Sequence, residues 1–172
     1  MAGGTKGSIA TFPVGTKVSS TNGAYTELQK QLGNEIDGRQ GKKYRLVQAA
    51  TADGTGGRTR VYEWVVAASH TVDIADAAVT ETPCGIGLAA QESLAAGDLF
   101  WLQIEGRAAV LNDAAATLAV DTVICPSGTV AGSVVAIGDV TLTESNTIVG
   151  KVLTSTAAST ATTDGVQLRA GL

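Results

Sequence analysis

The chain has 172 residues, 44% of them hydrophobic but only 4% aromatic, and a net charge of -4. That length admits one domain with its own core and excludes two, and the scarcity of aromatics leaves small β-branched side chains to build the core, a composition suited to stacked sheets. No window approaches the eighteen consecutive apolar residues of a membrane-spanning helix, and "MAGGTKGSIATF" lacks the apolar core of a secretory signal, so a protein made and kept in a cytoplasm-like compartment is expected.

Charge is unevenly placed. Up to residue 60 there are nine Lys or Arg against four Asp or Glu; beyond it there are three against twelve. The basic residues are spread singly, with no dense run and no aromatic interleaving, a pattern that fits docking on acidic protein surface, such as the body of a neighbouring copy, better than nucleic acid.

In chain order, residues 1–20 carry four Gly and one Pro and too little apolar surface to fold alone, which predicts an arm that orders on a partner. Its apolar cluster is Ile9, Phe12, Pro13 and Val14, supported by Lys6 and Lys17. Removing residues 2–20 is expected to weaken binding and leave the body folded. "TNGAYTELQKQLGN" predicts one short helix, with Thr21 or Asn22 as its cap, Tyr25, Leu28 and Leu32 on one face and Gly33 as its stop.

From residue 34 the hydrophobic period changes to two. "GKKYRLVQAATA" and "RTRVYEWVVAA" read as strands, and the Asp53-Gly54 and Gly56-Gly57 dipeptides between them predict a hairpin over about residues 43–67. "CGIGLA", "AAGDLFWLQIEGRAAV", "VDTVICPSG", "GSVVAIGDVTL", "TIVGKVLTS" and "DGVQLRAG" follow as further short strands between turn signals. The expected fold is mainly β: a single compact β-sandwich or β-barrel over residues 34–172, with an extended N-terminal arm and short helix over 1–33.

Chemistry is sparse. "GIGLAA" at 85–90 has the spacing of a dinucleotide fingerprint, but "AAGD" breaks the chain where a long helix would have to follow. His70 stands alone and reads as a structural residue, with Asp73 and Asp76 as its nearest acidic neighbours. Cys84 and Cys125, 41 positions apart, are either buried free thiols or a disulfide, and no Cys/His cluster accompanies them. No G-x-S-x-G elbow and no acid/base pair stands out. Neither a catalytic residue, a metal site nor a cofactor is therefore expected, and no membrane or direct nucleic-acid partner.

In "AAGDLFWLQIEGRAAV" a turn at Ala96-Gly97-Asp98 precedes a strand with Phe100, Leu102 and Ile104 on one face and Trp101, Gln103 and Glu105 on the other. Trp101 is then either core or an anchor occluded at an interface. The same stretch, extended to "SLAAGDLFWLQIEGRAAVL", resembles a segment of tailed-bacteriophage capsid decoration (cement) proteins, with its Trp-Leu-Gln triplet in a Gly-Asp…Gly frame. The likeness runs through "AVDTVICPSGTVAG" to "IVGKVLTSTAAS" and "DGVQLRAGL", and more weakly through residues 32–50, while the basic N-terminal part and the connector at 154–165 depart from it.

The resemblance implies a non-enzymatic virion protein, made in the host cytoplasm, that binds the capsid exterior through the major capsid protein, commonly as a trimer. A tail or head-fibre component is the alternative, and a small-molecule-binding β-barrel a remoter one.

Overall fold

The computed structural model describes residues 12–53, 59–75, 83–88, 93–113, 117–137, 148–155, 157 and 165–168. The elements in order are β1 (Lys17–Val18), α1 (Tyr25–Gln29), β2 (Glu35–Asp37), β3 (Lys43–Ala49), β4 (Val61–Val66) and β5 (Thr71–Ile74). They continue with β6 (Pro83–Ile86), β7 (Leu99–Ala108), β8 (Val123–Pro126), β9 (Val134–Ala136), β10 (Gly150–Val152) and β11 (Val166–Leu168). The protein is mainly β, with five strands closed into a barrel and further strands attached. Around the barrel the neighbours run β3, β5, β4, β6 and β7, and β7 pairs back onto β3. Beyond it, β7 pairs with β11, then β10, β8 and β9 in turn.

The strand β7 organises everything else, because its two faces serve different cores. Phe100 and Leu102 point into the barrel, where Val47, Tyr62, Val72 and Cys84 complete the filling. Leu99 and Trp101 point the other way, against Val18, Leu28, Tyr44 and Leu46. Further along, Ala108 enters a third cluster with Val61, Ile86, Ile124, Val134, Val152, Val166 and Leu168. The period-two alternation of β7 thus lies where it was expected, but both faces are covered.

Gly106 marks the changeover. Glu105 still faces Lys43 of β3, whereas Gly106 already faces Leu168 of β11. Its φ of +89° is open to glycine at no steric penalty, and a Cβ there would lie 2.7 Å from the carbonyl oxygen of Gly41. A kink of this kind lets one strand leave the barrel and enter a second sheet.

The expected hairpin between β3 and β4 is not formed. Both strands exist, but β5 lies between them, parallel to β3 through Gln48 and Ala49 and antiparallel to β4. The tight hairpin is therefore β4–β5, closed by a 3-10 turn at Ala67–Ser69 and by His70 in a left-handed conformation at φ 55°. No glycine marks this turn, and histidine is one of the few other residues that tolerates positive φ. The ring of His70 stands edge-on to Trp64 at 5.8 Å, and Gly33 passes so near that a Cβ on it would overlap the imidazole. The lone histidine is a hairpin closer and a packing partner.

The short helix is present as α1. It is shorter than expected: Ala24, not Thr21 or Asn22, is its N-cap, with no side-chain cap bond, although Asn22 Oδ1 accepts the Ala24 N–H at 2.9 Å. It closes at Lys30, leaving Leu32 and Gly33 beyond its end, and Leu28 is its buried residue. Cys84 and Cys125 are both buried and free.

Candidate functional site

The turn before β7 and the first residues of that strand form a seat for the N-terminal segment. Asp98 is only 2% exposed. It is held by the Ala95 N–H, which donates to Oδ2 at 2.8 Å, and Lys17 Nζ pairs with the same oxygen at 2.9 Å. Lys17 also donates to the Ser93 carbonyl. A carboxylate so far removed from water needs a cation and hydrogen bonds to remain there, and this one has both.

Beside the ion pair, β1 joins β7 as a short antiparallel ladder, with Lys17 opposite Phe100 and Val18 opposite Leu99. Trp101 is 1% exposed within the single chain. Phe12 lies over it with ring centroids 5.6 Å apart, and the indole Nε1–H donates to the Phe12 carbonyl at 3.2 Å. Next to the seat, Tyr25 Oη donates to the Gly97 carbonyl at 2.7 Å and accepts from Gln48 Nε2 at 2.8 Å, so α1 is fastened to the same turn.

The structure thus brings three of the expected contact residues together: Phe12, Lys17 and Trp101 meet one another's surroundings on β7. Pro13 and Val14 stay outside, with Val14 39% exposed and the Pro13 carbonyl accepting from the Thr16 hydroxyl and N–H. Lys6 and Ile9 lie outside the described residues. Trp101 is covered by its own chain, so occlusion needs no second molecule. The described part of the arm, from Phe12, packs on the body rather than extending from it.

Sequence reasoning missed Asp98 as a partner and assigned it to the turn alone; the basic bias of the arm was the signal that an acidic socket exists. It also passed over Trp64, the other tryptophan. Trp64 is half-buried, with the Arg45 guanidinium 5.7 Å from its ring centroid and His70 on its edge. Arg45 in turn donates to Glu35 Oε1 at 2.8 Å. Just beyond it Val65 and Val66 are 47% and 48% exposed, followed by exposed Ala67 and Ala68.

Polar clusters elsewhere are structural. Tyr62 Oη donates to Asp53 Oδ2 at 3.2 Å at the barrel wall, and burial, with Asp53 next, pushes the phenol far above its ordinary range. Burial likewise pushes the Cys84 thiol up, the opposite of what a nucleophile needs. Ser127 and Thr129 both donate their hydroxyls to Asp113 Oδ2, while the Thr129 and Val130 amides donate to Ser127 Oγ. That pattern is a loop clamp, and the serine has no imidazole beside it to take its proton.

Among the described residues no group of three or more His, Cys, Asp or Glu is placed to hold a metal ion. The barrel interior is filled by its own side chains, and an open groove of about 290 Å³ lies among the described residues of the second sheet. Val123, Ile148, Gly150, Lys151, Gln167 and Leu168 line it, and the Lys151 ammonium at its rim pairs with Asp121 at 2.8 Å. The chain matches no protein-family model, no curated protein and no solved structure.

Proposed function

We propose that this chain is a virion structural protein that binds the outer surface of a tailed-phage capsid and stabilises the expanded shell by bridging major capsid protein subunits. The reading rests on residues 93–111, whose Gly-Asp turn and Trp-Leu-Gln strand resemble the capsid decoration proteins. The filled barrel supports a binding role over a small-molecule one, because a ligand pocket would need an open interior with convergent polar groups. Exposed Val14, Val65 and Val66 offer apolar contacts, and the basic N-terminal region offers charge.

A clamp that binds assembled subunits and not free ones favours the shell by mass action. Repeated over many sites, modest contacts strengthen the shell collectively. The protein works as a homo-oligomer, with a trimer favoured, on the virion exterior, and needs no cofactor and catalyses no reaction. The test is quantitative mass spectrometry of purified virions, counting this chain against the major capsid protein. A ratio of roughly one is expected for shell-wide multivalent binding. A few copies per virion would make it a tail or head-fibre part, and absence from virions would overturn the reading.

A further inference from the structure

Residues 12–18 meet the body on and around the seat. Phe12 meets Trp101, Lys17 meets Asp98 and Ser93, and Val18 lies opposite Leu99. Between this segment and α1 runs a tether, Ser19 to Ala24, in which Ser20 through Ala24 are exposed and Gly23 has open space where a Cβ would stand. On the far side of the tether the chain is fixed again, by Tyr25 on Gly97 and by buried Leu28. A short sticky segment, a polar exposed tether and a fixed anchor are the elements from which exchanged assemblies are made.

We propose that residues 12–18 are exchanged between copies of this chain, so that Phe12, Lys17 and Val18 of one copy occupy the Trp101, Asp98 and Leu99 seat of a second. The seat selects this occupant by chemistry. It presents a buried carboxylate that takes one cation, an indole face and N–H that take an aromatic residue and its carbonyl, and a strand edge that takes a short β-strand. The basic end of the chain carries all three in the right order, and the acidic body supplies the field that draws it in. The seat contacts survive exchange unchanged. An extended tether gives up its own turn, in which the Asn22 N–H donates to the Ser19 carbonyl and the Ala24 N–H to Asn22 Oδ1. The arrangements otherwise differ in the entropy of association, which crowding of copies on a surface offsets.

The geometry adds a condition. Six tether residues, fully extended, reach about 20 Å. Because Tyr25 is bound at Gly97, beside its own seat, exchanging copies must hold their seats within about that distance of each other. The first strand turns of β7 would therefore gather round the symmetry axis of the assembly. This inference deepens the proposed oligomer and rests on it for the local concentration of copies, but it is tested on the free protein.

The experiment uses two charge-reversed full-length chains, Lys17→Asp and Asp98→Lys, measured singly and as an equal mixture by size exclusion with light scattering. Each alone pairs like charges at the seat and is expected to lose assembly. The mixture restores opposite charges only across chains, at every seat of an even-numbered ring and at two of the three seats of a trimer, and is expected to recover assembled mass that neither variant shows alone. A mixture that behaves as the sum of its parts overturns exchange. Should Asp98→Lys fail to fold, Val18→Cys with Leu99→Cys, directly opposite in register, serves instead. Oxidation then yields covalently linked chains on a non-reducing gel if the segment is exchanged, and internally linked single chains alone if it is not, which overturns the proposal. Neither negative result alters the virion count, so the failure of exchange and the failure of the capsid reading are told apart.

Discussion

Replacing Trp101 by alanine tests where this side chain spends its energy. Trp101 is 1% exposed and packed against Val18, Leu28, Tyr44, Leu46 and Leu99 of its own chain. Truncating a fully buried Trp costs about 3–5 kcal/mol in lost transfer energy and cavity. The Nε1–H bond to the Phe12 carbonyl adds about 1 kcal/mol, and the aromatic pair with Phe12 about 0.5–1.5 kcal/mol. Since these terms overlap, roughly 4–6 kcal/mol is expected. For a chain of this size each kcal/mol lowers Tm by about 2–4 °C, so a fall of about 10–20 °C should appear in a circular-dichroism melt. Run at two protein concentrations a hundredfold apart, the melt separates the possibilities. A core residue lowers Tm at both, while an anchor used only between molecules lowers it where the oligomer is populated. A fall below about 3 °C at the dilute condition would refute the intrachain account. Trp101→Phe, which keeps most of the volume, provides a milder loss should the alanine chain not fold.

Three further outcomes are expected. Gly106→Ala forces a non-glycine residue to φ +89° and a Cβ against the Gly41 carbonyl; a loss of about 1–3 kcal/mol is expected in urea denaturation, and an unchanged midpoint would remove the kink from its role. Deleting residues 2–20 removes Phe12, Lys17 and Val18 from the seat, so the melt should fall and the emission of Trp101 should shift to the red as water reaches it; an unshifted spectrum would mean the seat is not filled by this segment. The raised thiol of Cys84 and raised phenol of Tyr62 stay protonated in the fold but ionise in the unfolded chain above about pH 9 and 10. Their stability is complete below those values and is lost as pH rises, by about 1.4 kcal/mol per pH unit for each group. Both thiols should resist a disulfide reagent in the native protein and react in denaturant; rapid native labelling of Cys84 would contradict its burial.

Local pattern carried the strands; partnership between them did not follow from it. The alternation in "LFWLQIE" separates Phe100 and Leu102 from Trp101 because side chains on a strand must alternate. The same stretch cannot say that a two-residue strand and a short helix cover the Trp101 side, since that cover comes from about eighty positions upstream. The β3–β4 error has one cause. Four residues, Thr71 to Ile74, are too short to show a period, and "VVAASH" has none of the glycine or asparagine that advertises a tight turn. With β5 unseen, the glycine-rich run after Asp53 was the only turn signal left to join β3 and β4. At the seat, the hydrophobic members Phe12 and Trp101 and the cation Lys17 were legible as sticky residues, while Asp98 was hidden behind its commoner use beside glycine in turns.

Sharing β7 between the barrel, the N-terminal seat and the second sheet has a consequence for how the molecule comes apart. Two sheets joined by a loop could melt in sequence, each at its own temperature. Here the strand that closes one sheet begins the other, so loosening either end strips hydrogen bonds and packing from both. Unfolding should be a single cooperative event despite three separate hydrophobic clusters, and the amide protons of residues 99–108 should be the last to exchange with deuterium, at the free energy of global opening.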